Sequence, residues 1–410
     1  MKSDLDSLMQ ASDVEILLIV GPGQNNPPMV YLTGGANMTE AYLVKIRGQA
    51  SILFHRSIER EEAASTGLQT RNLDEYHLND LYREFGGDWL KAIVERFRRM
   101  FEDLGIRSGR ISICGQYDAG TAFSIFSMLK DSLPELDFVR ELDNALLSIA
   151  MSTKDQSEID RIRSMGRITT DVVAQVADFI MSHRVRGQVL VKPDGVPLTI
   201  KDIKRKINLW LAERGADNPE GSIFALGHDA SVPHNAGNDN DLLSLGQTII
   251  FDVFPCEPGG GYHYDFTRTW CLGYAPDSAL ELYQDVLDVY QKITAQLQVS
   301  TPCRLYQELA CDLFASKGHP TLREDPLTQN GYVHSLGHGL GLQVHERPSF
   351  RLNSEESERL DPGVVFTIEP GLYYPDRNQG VRLEDTFYIT SDGQSEVLAD
   401  YPLDLVLPVN

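Results

Sequence analysis

The chain has 410 residues, 42% of them apolar and 23% charged, with a formal net charge of −22 at pH 7. Such a length implies two or three domains with sizeable cores, and the acidity excludes nucleic acid or anionic membrane as partners gripped by bulk electrostatics. Five scattered cysteines without a CxxC pair fit the reduced thiols of a cytoplasmic protein, not a disulfide framework or a zinc knuckle.

In chain order, the opening MKSDLDSLMQ is polar and acidic, unlike a signal peptide. The apolar run from Val14 to Val20, broken by Glu15, is too short to span a bilayer. Short buried strands are expected at Ile16–Val20, Tyr42–Ile46, Ala50–Phe54 and Arg110–Cys114, with helices at Trp89–Leu104 and Thr121–Leu129. These make a small α/β domain over residues 1–150. It holds no cluster of His, Cys and acids, so a scaffold or cleft wall is its expected role.

A second domain is expected over residues 151–410. Ser152 or Thr153 followed by an acidic first turn reads as a helix start. Apolar residues recurring from Ile159 to Val176 then give a long amphipathic helix to about Met181. A helix over Thr199–Glu213 comes next, with Ile203, Ile207, Leu209 and Trp210 on or near its buried side. Strands are expected at Ile223–Leu226, Thr248–Phe254 and Thr267–Leu272, and helices at Ser278–Leu297 and Leu305–Ser316. The last two strands are Val364–Glu369 and Val381–Ile389. The doubled order of helices and strands suggests an internal duplication, though no residue-level repeat is visible.

The stretch GYVHSLGHGLGLQVHE, residues 331–346, concentrates three of the chain's ten histidines, His334, His338 and His345. Its interleaved glycines disfavour a helix and allow close backbone approach, so it reads as a strand or extended loop lining a cavity. Four acids stand on strand-like segments around it: Asp252 in TIIFDVFP, Asp265 in GYHYDFTRTW, Glu369 in VVFTIEPG and Glu384 in GVRLEDTFYIT. One acid at a strand end is readily explained as a cap or as the partner of a buried Arg. Four are not. Two carboxylates ~5 Å apart repel by ~3 kcal/mol at an effective dielectric of ~20, so four need protons or cations, and two divalent ions would balance them.

These motifs, DFTRT, GHGLGLQVHE, IEPG and GVRLED, resemble those of the pita-bread metallopeptidases, which include Xaa-Pro aminopeptidase, prolidase and methionine aminopeptidase, together with metal-free creatinase. The resemblance runs from about Lys154 to Pro408. More weakly, VYLTGGANMTEAYLVKIRGQASILF resembles the extra N-terminal domain of the creatinase and prolidase branch. It implies an α/β (α+β) chain: a creatinase-like α/β domain before a pita-bread catalytic domain. It further implies that Asp252, Asp265, His338, Glu369 and Glu384 ligate two divalent metal ions (Mn, with Co, Zn or Fe as options). Asp265 and Glu384 would bridge them. Glu369 would also take the proton of the attacking water, His345 would donate to the oxyanion, and His234 would contact the scissile amide or shuttle a proton. His334 and Arg382 would line the pocket for the prolyl residue and for its carboxylate or the next residue of a longer peptide.

The implied reaction is removal of the N-terminal residue from Xaa-Pro peptides or dipeptides, by a homodimer. A bond before proline lacks an N–H, which suits a site that relies on metals and a shaped ring pocket. In one departure, Asp252 and Asp265 stand thirteen positions apart, two more than the resemblance leads one to expect. The extra residues fall in Pro258-Gly259-Gly260-Gly261, read as a lengthened hairpin turn. No HExxH, GxSxG or phosphate-binding loop offers a competing chemistry. The alternatives on the same fold are a metal-dependent hydrolase or lyase that is not a peptidase, and a peptide-binding module without catalysis.

Overall fold

The computed structural model describes residues 4–140 and 145–410, so the first three residues of the acidic opening stretch lie outside the described residues. The chain divides into two compact units. One runs to Met151 and takes in Gly259–Gly261, and the other comprises Ser152–Pro258 and Tyr262–Asn410.

In the first unit, six strands form one sheet in the order Gln69–Asn72, Ile52–His55, Ala41–Ile46, Ile16–Gly21, Gly109–Gly115, Leu136–Phe138. The Ile16–Gly21 strand is buried along its whole length, as a continuous apolar run requires when both faces are covered. It pairs antiparallel with Ala41–Ile46 and parallel with Gly109–Gly115. The Trp89–Asp103 helix is capped by the Asp88 carboxylate, which accepts from the Lys91 N–H. It buries Phe97, Met100 and Phe101 among Ile16, Leu18, Val20 and Tyr42. The helix also buries Arg96, whose guanidinium donates to Glu40 and to the Tyr42 hydroxyl at 2.7 Å each.

The second unit opens with the Gln156–Met181 helix. Its N-cap is Asp155, not Ser152 or Thr153 as the sequence suggested. The Asp155 carboxylate accepts from the Ser157 and Glu158 N–H groups, while the Glu158 carboxylate returns to the Asp155 N–H. Ser152 instead ends the preceding helix, and Thr153 bridges to Val364. Thr199 caps the Ile200–Glu213 helix with the same box. Leu209 on that helix is 48% exposed, against expectation, because the buried stripe runs through Ile203, Ile207, Trp210 and Leu211.

Two sheets then carry the site. Ser222–Leu226, Thr248–Val253 and Phe266–Leu272 pair antiparallel in sequence order, with Val406–Leu407 on the outer edge. The other sheet runs Glu346–Ser349, His338–Gly339, Val365–Ile368, Asp385–Ile389, Ser395–Val397. The helices Asp277–Thr294 and Cys303–Ser316 bury Leu282, Val286, Tyr306 and Phe314 in the same core as Phe366, Ile368 and Phe387. The segment read as one strand, Val381–Ile389, is two: Gln379–Arg382 pairs with Gly371–Tyr374, and Asp385–Ile389 pairs with Val365–Ile368. Glu384 falls in the break, tied to Thr267 by an isolated bridge. Among the described residues, no helix is long and apolar enough to cross a membrane.

Candidate metal centre

Four of the five expected ligands come from strand ends or strand breaks, where an alternating ladder can turn a side chain inward and then let the backbone leave. Asp252 is the penultimate residue of Thr248–Val253 and faces Thr267 across the ladder, while Asp265 immediately precedes Phe266–Leu272. Glu369 comes just after the last residue of Val365–Ile368, and its N–H donates to the Leu336 carbonyl at 2.7 Å. The lengthened connection between Asp252 and Asp265 therefore leaves the ladder itself in register. Its residues 259–261 group with the first unit.

His338 sits on the short His338–Gly339 strand, and the rest of the Gly-rich stretch around it is largely loop. Gly339 has no room for a side chain: an added Cβ would lie 1.9 Å from the Arg347 carbonyl oxygen. Glycine is needed there so that the neighbouring chain can close on the strand, the close approach that the sequence pattern suggested.

The contacts set the protonation pattern. The His338 Nδ1 lies 3.1 Å from the Gly339 carbonyl, which can only accept, so Nδ1 carries the proton. Burial first, then His345, pushes the His338 pKa down to about 3, so the ring is neutral. Its Nε2 lone pair then faces an Asp265 oxygen and a Glu369 oxygen, each at 3.6 Å. That is too far for a hydrogen bond, so the lone pair is left turned toward the two carboxyls without one. Asp265, His338 and Glu384 each offer an atom within 4.8 Å of the others. Around them, Asp252 Oδ1, Asp265 Oδ1 and Glu384 Oε1 are buried without any hydrogen-bond partner. Buried polar atoms are normally satisfied, so these three mark where a cation fits.

Electrostatics agree. Burial, followed by the charges of Glu384 and Asp252, holds the Asp265 carboxyl well above the usual range. Burial and Glu384 do the same to Glu369. Glu384 is pushed up to about 8, by burial first and then by Asp252. The other Glu384 oxygen accepts from the Thr267 hydroxyl at 2.8 Å. Carboxyls raised in this way are protonated in the bare protein and would ionise against divalent cations. The donor set, carboxylates with one imidazole, fits such ions.

The remaining candidates take distinct places. Arg382 is 3% exposed and donates to Asp252 Oδ2 at 2.6 Å. It also donates to the Tyr373 hydroxyl at 2.8 Å, the Pro233 carbonyl at 3.2 Å and the Thr267 hydroxyl at 3.3 Å. The structure thus spends Arg382 largely on the protein itself, as the counter-charge of Asp252. His334 donates from Nδ1 to the Ser335 carbonyl at 2.7 Å, and its Nε2 lies 2.9 Å from the Tyr373 hydroxyl. Its pKa is pushed to about 3 by burial and then by Arg382.

The His345 ring centroid lies 4.3 Å from that of His338. His234 is exposed, in the loop after Asp229–Ser231. It is close enough to contribute to depressing the pKa of both His334 and His345. Sequence reasoning missed Thr267 and Tyr373. The threonine lay inside DFTRT, whereas nothing local set Tyr373 apart from the adjacent Tyr374.

Comparison with known proteins shows which family and fold the chain shares. The model of metallopeptidase family M24 matches residues 160–391, more than half of the chain. An Xaa-Pro dipeptidase of Pyrococcus horikoshii is 24% identical over 393 residues, covering 95% of this chain and 94% of that one. An uncharacterized peptidase of Bacillus subtilis is 32% identical over 255 residues, 62% of this chain and 64% of its own. The fold is shared with a solved dipeptidase from P. horikoshii (TM-score 0.76, 22% identical, 98% of both chains). It is shared likewise with an X-Pro aminopeptidase from Thermotoga maritima (TM-score 0.73, 21% identical, 99% of both chains). The mixed α/β architecture ending in a pita-bread domain is thus the one the motifs implied.

Proposed function

The chain belongs to metallopeptidase family M24, and from that premise we propose that it hydrolyses the N-terminal Xaa-Pro bond of peptides or dipeptides. The observation that carries this reading is the unprotonated His338 Nε2 turned toward Asp265 and Glu369, beside buried oxygens of Asp252, Asp265 and Glu384 that have no hydrogen-bond partner. Asp252, Asp265, His338, Glu369 and Glu384 would hold two divalent ions, with manganese the first to test. When bound, those ions would polarise the scissile carbonyl and lower the pKa of the attacking water.

The chain's own residues do the rest. Glu369, beside His338, would take the proton of the attacking water and pass it on. His345 would donate to the oxygen that gains charge as the carbonyl is attacked. His234, on its exposed loop, would meet the scissile amide of a bound peptide. Arg382 balances Asp252 and, with Tyr373, holds His334 against the wall where the proline ring would sit. The neutral state of His334 makes that wall apolar enough for a ring without an N–H.

A second copy of the chain is the expected partner, which light scattering would test. The five cysteines are all buried, and a reducing, cytoplasmic setting is the expected one. The decisive experiment is a cleavage series of Xaa-Pro, Xaa-Pro-Yaa and Xaa-Ala peptides with Mn²⁺, Co²⁺, Zn²⁺ and Fe²⁺. Release of the first residue from the proline series alone is expected. Absence of cleavage by the metal-loaded protein would reject the proposal.

A further inference from the structure

The Lys154–Glu346 ion pair lies outside the ligand set and is unused by the mechanism above. The side chains are only 2% and 4% exposed, and Nζ lies 2.8 Å from the carboxylate across 192 positions of sequence. Burying two charges seldom stabilises a fold, because desolvation offsets their attraction. A pair this deep is therefore better read for what it positions.

Each end is tied to a segment that leads into the proposed site. The Lys154 N–H donates to the Gly363 carbonyl at 2.8 Å, and the adjoining Thr153 bridges to Val364. Lys154 is thereby fixed to the chain that runs through Val365–Ile368 into Glu369. Glu346 is the residue directly after His345. Its Oε2 takes the lysine, and its Oε1 accepts from the Gln343 N–H at 3.1 Å, closing the turn that presents His345. The turn is packed onto this carboxylate, since a Cβ on Gly341 would lie 2.4 Å from Oε2. From the other side, the His263 N–H donates to the Gly341 carbonyl at 2.8 Å.

We infer that Lys154 and Glu346 are positioning residues that fix the His345 imidazole relative to Glu369 and His338, so that turnover depends on an ion pair which touches no reacting atom. The inference rests on the proposed peptidase reading for His345's role. Its geometric half is independent of that reading.

The test compares Lys154→Met, Glu346→Gln, Lys154→Arg and the Lys154→Met/Glu346→Gln double variant. Lys154→Met and Glu346→Gln are each expected to lower kcat at least tenfold on an Xaa-Pro peptide, with KM and bound metal unchanged. Lys154→Arg is expected to recover most of the loss, and the double variant to lose no more than the worse single one. In metal-free protein, amide hydrogen exchange over residues 341–346 should quicken in both single variants but not in Lys154→Arg. Glu346→Gln keeps shape and acceptor, so it reports on the pair even if Lys154→Met folds poorly. Wild-type kcat in both single variants, or a kcat loss that only tracks lost metal, would overturn the inference. If the wild-type protein cleaves no Xaa-Pro peptide, the functional reading fails while the exchange experiment still decides whether the pair holds the turn.

Discussion

Removing bound metal with a chelator should make the protein's stability fall as pH rises above neutrality. Glu384 supplies the magnitude. Its carboxyl moves from an ordinary 4.5 to about 8, by burial and then by Asp252. A folded-state pKa above the unfolded one means that the folded protein holds the proton more tightly. Stability is therefore full below the unfolded pKa and is lost as pH rises toward the folded one. The whole shift corresponds to about 5 kcal/mol, of which about 1–1.5 kcal/mol falls between pH 7 and pH 9, above the range where the buried neutral His334 and His338 act in the opposite sense. Asp265 and Glu369, also raised chiefly by burial, act in the same direction. Urea unfolding followed by circular dichroism at half-unit pH steps reads this directly, and metal-loaded protein should show a much flatter profile because ions favour the ionised form. Metal-free stability that stays level or climbs from pH 7 to pH 9 would refute the reasoning.

Other contacts give further expected outcomes. His338→Ala should abolish turnover while the circular dichroism spectrum stays native, and wild-type kcat in that variant would remove His338 from the site. Arg268 is 1% exposed and donates to Asp385 at 2.8 Å and to the Glu384, Thr267, Tyr401 and Pro402 carbonyls. Arg268→Leu should cost about 3–5 kcal/mol in urea unfolding by stranding Asp385, and a change under about 1 kcal/mol would contradict the network's importance. Gly380→Ala would place a Cβ 1.8 Å from the Ala230 carbonyl, a backbone atom that cannot swing aside. A loss of at least about 2 kcal/mol is expected in the same assay.

Much of the site was legible because burying a carboxylate at the end of an apolar strand contradicts the pattern around it, and Asp252, Asp265, Glu369 and Glu384 each did so in the sequence. The long helices were legible for a related reason: Gln156–Met181 shows its apolar stripe over many turns. Short helices such as Leu5–Ala11 and Pro27–Thr33 were not, since segments of that length owe their helicity to packing rather than to pattern. The break at Leu383–Glu384 was hidden because the apolar residues on either side of Glu384-Asp385-Thr386 read as one strand on paper, although the chain changes sheets there. Lys154 and Glu346, like Tyr373 and His334, are joined only by the fold. Arg382 was visible as a motif residue, but its pairing with Asp252 belongs to three-dimensional register.

The most direct measurement of the central claim is the number of metal ions per chain, by plasma emission spectrometry on protein equilibrated with Mn²⁺ and then desalted. Wild-type protein should retain two, with fewer in Asp265→Asn and in His338→Ala. A wild-type chain that holds none, or variants that hold as many as the wild type, would contradict the account.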